Sequence, residues 1–346
     1  MERIIYTLDA DSEVRNFLRC CGESRMFVVS DGNTCRKSLP LLPSLGGCTV
    51  IEVPAGERCK AVGVLQQIWK ELAEAGARRN DILINVGGGS VSDLGGFAAA
   101  TYMRGIRHVN IPTTLLACVD ASSGGKTGID FMGFKNIVGA FHAPVLTVVS
   151  PQFLSTLPHG EMLSGFAEMI KHAVLDSPEH LEALLSTDFF ALDSAHTLGL
   201  ITRSAEVKRR VVEADPFEKG ERRKLNLGHT AGHALESLCI RRGDPITHGH
   251  AVALGMLAEL SLAEEFPRAL FSRLRLAIRS LYPPVDLTDR DAESLKEYML
   301  RDKKNLRDGA VAFIRMRDVG DADLFATVVP ERLAEALIGE CCFGKN

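Results

Sequence analysis

Through its first 150 residues the chain alternates short apolar runs with helical stretches, and no other feature restricts its fold as strongly. Residues 26–30 (MFVVS), 48–53 (CTVIEV), 81–86 (DILINV), 107–111 (RHVNI) and 145–149 (VLTVV) read as strands. They are mostly apolar rather than alternating, as strands covered on both faces are. Residues 57–75 carry helical periodicity. Strand–helix alternation implies a parallel sheet wrapped by helices, a Rossmann-like α/β domain. After Pro151 the texture changes, with long helical patterns over 160–175, 192–213, 230–238, 251–265 and 292–301. The expected architecture is an N-terminal α/β domain over 1–150 and a mostly α-helical domain over 151–346.

Composition excludes other classes. No apolar run approaches the roughly 18 residues of a membrane helix, and the first residues lack a signal-peptide core. The formal net charge of −4 argues against nucleic acid as a partner, which needs a basic field. Nine cysteines without a CxxC spacing fit buried apolar thiols in a reducing cytoplasm.

The segment Asn85-Val-Gly-Gly-Gly-Ser-Val-Ser-Asp93 follows a strand and opens a helix. Its glycines allow close backbone approach and its helix start offers N–H groups to an anion, as a dinucleotide pyrophosphate needs. Ser92 replaces the last glycine of the usual fingerprint, so an ordinary strand–helix turn is equally open. Gly124-Gly-Lys-Thr127 is not a phosphate-binding P-loop, because Asp120 holds the place of its first glycine. Residues 112–136 form a polar run with Thr113, Thr114, Asp120, Lys126, Lys135 and Asn136. A loop this long inside a compact domain is usually functional.

Four of the ten histidines lie within 229–250. His229 and His233 share a helix face if the segment is helical, and His248 and His250 frame a glycine. Clustered imidazoles are typical zinc ligands, completed by an oxygen donor. Glu161, Glu168 and Glu236 are all candidates, and spacing does not choose among them. Glu168 has Lys171 one turn later, which reads equally as a salt bridge on a solvated face. Arg104, Lys126, Lys135, Lys171, Lys208, Arg222, Lys303 and Lys304 sit beside these motifs. They are solvated charges one by one, or together the lining of a polyanion pocket.

These segments, in this order, resemble the 3-dehydroquinate synthase family of sugar-phosphate cyclases. The resemblance runs from about Pro54 to Val311. It rests on PAGERCK (54–60), GGGSVSDLGGFAAATYMRG (87–105), the PTTLLA…GGK…KN run, SGFAEMIKH (164–172), RRKLNLGHTAGHALE (222–236), HGHAVALGM (248–256) and DKKN (302–305). It implies Zn2+ or Co2+ on Glu168, His229 and His248. NAD is implied along Glu57, Lys60, Gly89, Ser90, Val91, Ser92, Asp93, Thr113, Thr114, Lys126, Lys135, Phe153, Leu154, Ser155 and Thr156. The implied substrate is 3-deoxy-D-arabino-heptulosonate 7-phosphate, a phosphorylated keto acid. Its contacts fall on Arg104, Asp120, Lys126, Asn136, Lys171, Lys208, Glu218, Arg222, Asn226, His233, Lys303 and Lys304. Asp120, Lys126, Lys171, Glu218 and His233 carry the implied catalytic roles.

The implied chemistry is transient oxidation by NAD, phosphate elimination, re-reduction and intramolecular aldol closure. Arg104 matches an arginine that enters a neighbouring subunit's site, which implies a homodimer. His250 departs from the family's usual Glu, and Ala121 from a frequent serine. Other sugar-phosphate cyclases lack the substrate carboxylate that Lys208 and Arg222 are expected to clamp. A metal-dependent polyol dehydrogenase shares the glycine turn and two-domain plan but needs no dense cation set. A non-catalytic paralogue would not keep all three metal positions.

Overall fold

In the computed structural model, residues 3–343 are described, apart from 123, 133 and 301–308. The chain divides into two compact units, Met1–Pro158 with Leu192–Ala205, and His159–Ala191 with Glu206–Asn346. Residues 192–205 thus group with the sheet-bearing unit rather than with the helical half.

The first unit holds β1 (Arg3–Tyr6), α1 (Ala10–Cys20), β2 (Met26–Asp31), α2 (Gly32–Lys37), β3 (Thr49–Val53), α3 (Val62–Glu74), β4 (Ile82–Gly87), α4 (Gly89–Thr101), β5 (Arg107–Pro112), β6 (Lys126–Phe131), β7 (Phe134–Phe141) and β8 (Leu146–Val149). Six strands form a parallel sheet in the order β1-β8-β5-β4-β2-β3. Every residue of β4 and β8 is buried, as the apolar runs imply. One face packs Val29, Leu83, Leu65, Ile68 and Leu94, and the other Val28, Ile84, Val109, Val148 and Phe153. The chain steps outward from β2 to β3, then crosses to β4 and continues the other way. The glycine turn therefore leaves β4 where strand order reverses, the usual ligand crevice of open parallel sheets.

The polar run 112–136 is not one loop. It contains a π-helical turn, Ala117–Ala121, and feeds the antiparallel hairpin β6–β7. Gly128 and Gly139 pair across it, and glycine's low strand propensity hid the hairpin from periodicity.

The second unit holds α5 (His159–Asp176), α6 (Pro178–Leu185), α7 (Ser194–Ala214, whose first half belongs to the first unit), α8 (His229–Arg242), α9 (His248–Ser261), α10 (Arg268–Leu281), α11 (Ala292–Leu300), the antiparallel hairpin β9 (Val311–Asp318) and β10 (Asp321–Val328), and α12 (Pro330–Cys341). Helix α9 is buried over almost its whole length. It packs with α8, α11 and α12 through Leu254, Ala258, Leu235, Leu238, Leu295 and Leu337. No described helix is long and apolar enough to cross a membrane.

His108 on β5 is buried, and neither ring nitrogen has a hydrogen-bond partner. Burial, with a smaller contribution from the stacked His142 ring 5.1 Å away, pushes it down to about 3. Above pH ~6.5 the residue is neutral folded or unfolded. Below that, the unfolded chain takes up a proton that the folded chain refuses until about pH 3. The expected loss of stability at pH 5 is about 2 kcal/mol. Melting at pH 7.5 and pH 5 should show a smaller acid-induced drop for His108→Leu than for the parent; equal drops would refute the assignment.

Candidate active site

Glu168 lies on α5 with no exposed surface, and Lys171 one turn later is 1% exposed. The two side chains are in direct ion-pair contact, so the pair is interior and not a solvated-face bridge. Glu168 Oε1 has no hydrogen-bond partner. It faces His229 Nε2 at 3.6 Å and His248 Nε2 at 3.7 Å. Two donors each ~2.1 Å from a tetrahedral ion stand about 3.4 Å apart. The two separations from Glu168 are therefore close to what a shared divalent ion requires. Of the other candidate carboxylates, Glu161 is exposed. Glu236 lies behind His248, its Oε2 3.5 Å from Nδ1.

His233 joins this group. Nitrogens of His229, His233 and His248 lie within 4.8 Å of one another, and its ring is 5.2 Å from that of His229. His250 does not join it. Its Nε2 is 2.9 Å from the Pro283 carbonyl, so this imidazole ties the start of α9 to the 283 segment.

Local sequence sets these positions. Thr247 caps α9 through the His250 N–H, which starts the helix at His248. Gly228 has φ +78°, a left-handed turn that only glycine adopts without strain, and it starts α8 at His229. Gly249 lets α9 touch α5: a Cβ there would stand 2.0 Å from the Ser164 carbonyl oxygen.

Burial opposes ionisation of Glu168, but the Lys171 ammonium and the His248 ring outweigh it and hold the carboxyl well below the usual carboxylate range. Burial likewise opposes charge on His248, and Glu168 and Glu236 overcome it, pushing it up to about 9. A field that stabilises a proton between two carboxylates also favours a divalent cation.

Two further anion-binding candidates of this unit are buried. Lys208 lies on α7 and Arg222 follows the 215–220 turn. Asp215 shapes that turn by accepting from the N–H groups of Lys219, Gly220 and Arg222. Glu218 sits at φ +57° and accepts a hydrogen bond from Asn226 Nδ2 at 3.0 Å. Arg222 donates to the Pro216 carbonyl at 2.8 Å. Lys303 and Lys304 lie outside the described residues.

In the first unit, Lys60 is buried and bonds Asp93 Oδ2 at 2.8 Å, with Glu57 Oε2 at 3.6 Å. Ser90 donates to Glu57 at 2.5 Å. The segments 57–60 and 89–93 thus converge at the start of α4, which no side chain caps. A Cβ at Gly89 would lie 2.8 Å from that of Ala121, and one at Gly88 3.0 Å from Thr114 Cγ2. The glycines permit this close packing, and the uncapped helix start is where an anion would be favoured. Val91 and Ser92 are buried along α4, and Ser92 donates to the Gly88 carbonyl. Thr113 is buried beside the turn, its N–H on the Gly87 carbonyl.

Asp120 is half-buried on the π-helical turn, while Lys126, Lys135 and Asn136 are exposed on the β6–β7 hairpin. Phe153 is committed to the sheet core and Leu154 is buried, whereas Ser155 and Thr156 are exposed. Arg104 is exposed at φ +63°, just after α4.

Sequence reasoning missed two carboxylates of the second unit, the role of Glu236 and the whole of Glu259. Glu259 has no exposed surface and accepts from the Gly228 N–H at 2.9 Å. A lone acid inside the apolar run AVALGMLAELSLA was the available signal.

Residues 50–164 match the family model described as 3-dehydroquinate synthase N-terminal, and residues 165–305 the one described as 3-dehydroquinate synthase C-terminal. The chain is 41% identical to the 3-dehydroquinate synthase of Parabacteroides distasonis, over 97% of each chain. It is 40% identical to that of Pyrococcus abyssi, over 87% of this chain and 88% of that one. Among solved structures, its fold resembles 2-epi-5-epi-valiolone synthase of Streptomyces hygroscopicus with NAD+ and Zn2+ bound, at TM-score 0.85 and 24% identity over 98% and 96% of the two chains. A 2-deoxy-scyllo-inosose synthase complexed with carbaglucose-6-phosphate, NAD+ and Co2+ gives TM-score 0.84 and 22% identity, with the same coverage.

Proposed function

This chain belongs to the 3-dehydroquinate synthase family, and from that membership we propose that it converts 3-deoxy-D-arabino-heptulosonate 7-phosphate into 3-dehydroquinate and inorganic phosphate. The observation that carries the reading is the buried Glu168 carboxylate oxygen, unsatisfied within the protein and faced by two imidazole nitrogens at 3.6 and 3.7 Å. Glu168, His229 and His248 would hold Zn2+ or Co2+. The uncapped start of α4, with Glu57, Lys60, Asp93 and the glycine turn, would hold NAD. When bound, the cation supplies Lewis-acid polarisation of a substrate hydroxyl and the nucleotide supplies reversible hydride exchange.

The protein's own groups bind and orient. Lys171 keeps Glu168 ionised. His233 stands beside the proposed ligands, its ring 5.2 Å from that of His229. Lys208 and Arg222 are assigned to the substrate carboxylate, and Asn226, fixed by Glu218, orients a substrate oxygen. The family resemblance assigns Lys126, Asn136 and Asp120 to the substrate and Lys135 to the nucleotide. Fixing one flexible polyanion in a reactive geometry is the larger share of the task. The reading includes a homodimer to which Arg104 contributes and a cytoplasmic location. Nine unpaired cysteines support the latter.

Incubated with the heptulosonate phosphate, Zn2+ and substoichiometric NAD+, the protein should release one equivalent of phosphate without accumulating NADH. Net NADH would instead indicate a polyol dehydrogenase. Equal turnover of a sugar phosphate lacking the carboxylate would point to another cyclase. Lys208→Met should lower kcat/KM for the keto acid by about 10- to 100-fold, the loss expected when a charge-assisted contact of about 1.5–3 kcal/mol is removed. An unchanged value would place the carboxylate elsewhere.

A further inference from the structure

The two helices that carry the imidazole ligands hold each other's ligand in place. Glu236 sits on α8 but faces His248 on α9, its Oε2 3.5 Å from Nδ1. Glu259 sits on α9 but binds the start of α8, accepting from the Gly228 N–H at 2.9 Å. That N–H belongs to the Leu227–Gly228 peptide, and the carbonyl of the same peptide lies 3.1 Å from His229 Nδ1. One carboxylate therefore backs an imidazole directly, and the other backs its partner through a single amide plane.

Chemistry gives this arrangement a direction. A metal-binding imidazole must present one nitrogen as a lone pair, and the hydrogen bond at its other nitrogen decides which. Both Nδ1 atoms face acceptors, so both Nε2 atoms are left toward Glu168. The amide between Glu259 and His229 is polarised from its N–H side, which strengthens its carbonyl as an acceptor. The flanking groups are held by helical bonds, Leu227 N–H to the Lys224 carbonyl and Gly232 N–H to the Gly228 carbonyl, while the Gly228 N–H itself goes to Glu259. The helices meet too closely to slide: a Cβ at Gly255 would stand 2.2 Å from the Gly228 carbonyl oxygen.

We propose that Glu236 and Glu259 are positioning residues for the metal centre, Glu236 acting on His248 and Glu259 acting on His229 through the Leu227–Gly228 peptide. The inference rests on the reading of Glu168, His229 and His248 as metal ligands.

The test is Co2+ titration of the metal-free full-length protein against a chromophoric chelator, with the visible cobalt spectrum recorded. Glu259→Asp keeps the charge but withdraws the acceptor by about 1.5 Å, whereas Glu259→Gln keeps the reach and loses the charge. Glu259→Asp and Glu236→Ala should each raise the Co2+ Kd by about 10- to 100-fold and alter the cobalt bands. Both Gln variants should stay close to the parent. Parental affinity in Glu259→Asp and Glu236→Ala, or Gln variants as weak as these two, would overturn the proposal. Glu168→Ala separates the two levels of inference. If it binds Co2+ as the parent does, the metal reading itself fails. If it alone loses Co2+, the metal reading stands and only the bracing fails.

Discussion

A Glu168→Ala chain is expected to emerge from gel filtration without a stoichiometric divalent cation and to release no measurable phosphate from the heptulosonate phosphate. The carboxylate is the anionic member of the three-residue set, and its Oε1 is the atom that both imidazole Nε2 atoms face. Its loss should exceed the roughly 10- to 100-fold penalty for losing an outer hydrogen-bonding partner and cut turnover by several orders of magnitude. The substitution also strands the Lys171 ammonium in the interior. Breaking a buried pair by removing one partner costs about 3–5 kcal/mol, so a lower Tm is expected as well. Glu168→Gln keeps the volume and separates the effects. It should lose metal and activity while retaining the circular dichroism of the parent. Elemental analysis showing full metal occupancy in either variant would end the assignment of Glu168 as a ligand.

Gly249→Ala should be nearly as damaging, although it removes no functional group. The added Cβ would lie 2.0 Å from the Ser164 carbonyl oxygen and 2.5 Å from its Cα. Both are backbone atoms, so no rotamer change relieves the clash. Helices α5 and α9 must move apart, and they carry Glu168 and His248. Overpacking typically costs about 1–3 kcal/mol, occasionally more, and a backbone-to-backbone clash belongs at the upper end. Tm and Co2+ affinity should fall together. Gly160→Ala, in the first turn of α5 with open space around its Cα, is the control. It should be neutral or stabilising by up to about 1 kcal/mol. Parental Tm and parental cobalt affinity in Gly249→Ala would show that the α5–α9 approach does not set the ligand spacing.

Much of the framework was legible in the residues because strands buried on both faces, such as β4 and β8, demand continuous apolar runs, and the half-exposed β3 carries such a run too. Five strands of the six-stranded sheet follow from such runs. The sixth, β1, reads Arg-Ile-Ile-Tyr, is only partly buried and pairs at the sheet edge with β8, so its two aliphatic residues make no distinct run. Helices α1 and α10 were passed over for a related reason: their apolar stripe is narrow and the rest of each surface is polar or charged. The β6–β7 hairpin was concealed by its glycines and lysines, which look like loop.

At the proposed metal centre, spacing drew attention to His229, His233, His248 and His250 and left three carboxylates open, because spacing along one helix says nothing about a neighbouring helix. Resemblance to the family favoured Glu168. Geometry adds the physical ground: Glu161 reaches solvent, Glu236 stands behind His248, and Glu168 alone of the three faces both Nε2 atoms.

Local order carried the residue types a metal and a nucleotide need, the glycines that admit close approach, and the periodicities that choose strand or helix, since each depends on neighbours a few positions away. The pairing of Glu236 with His248 and of Glu259 with the peptide ahead of His229 spans 12 and 31 residues. Such contacts are settled only when α8 and α9 close against each other, because a carboxylate acquires its partner from whatever the packed core brings within hydrogen-bonding distance.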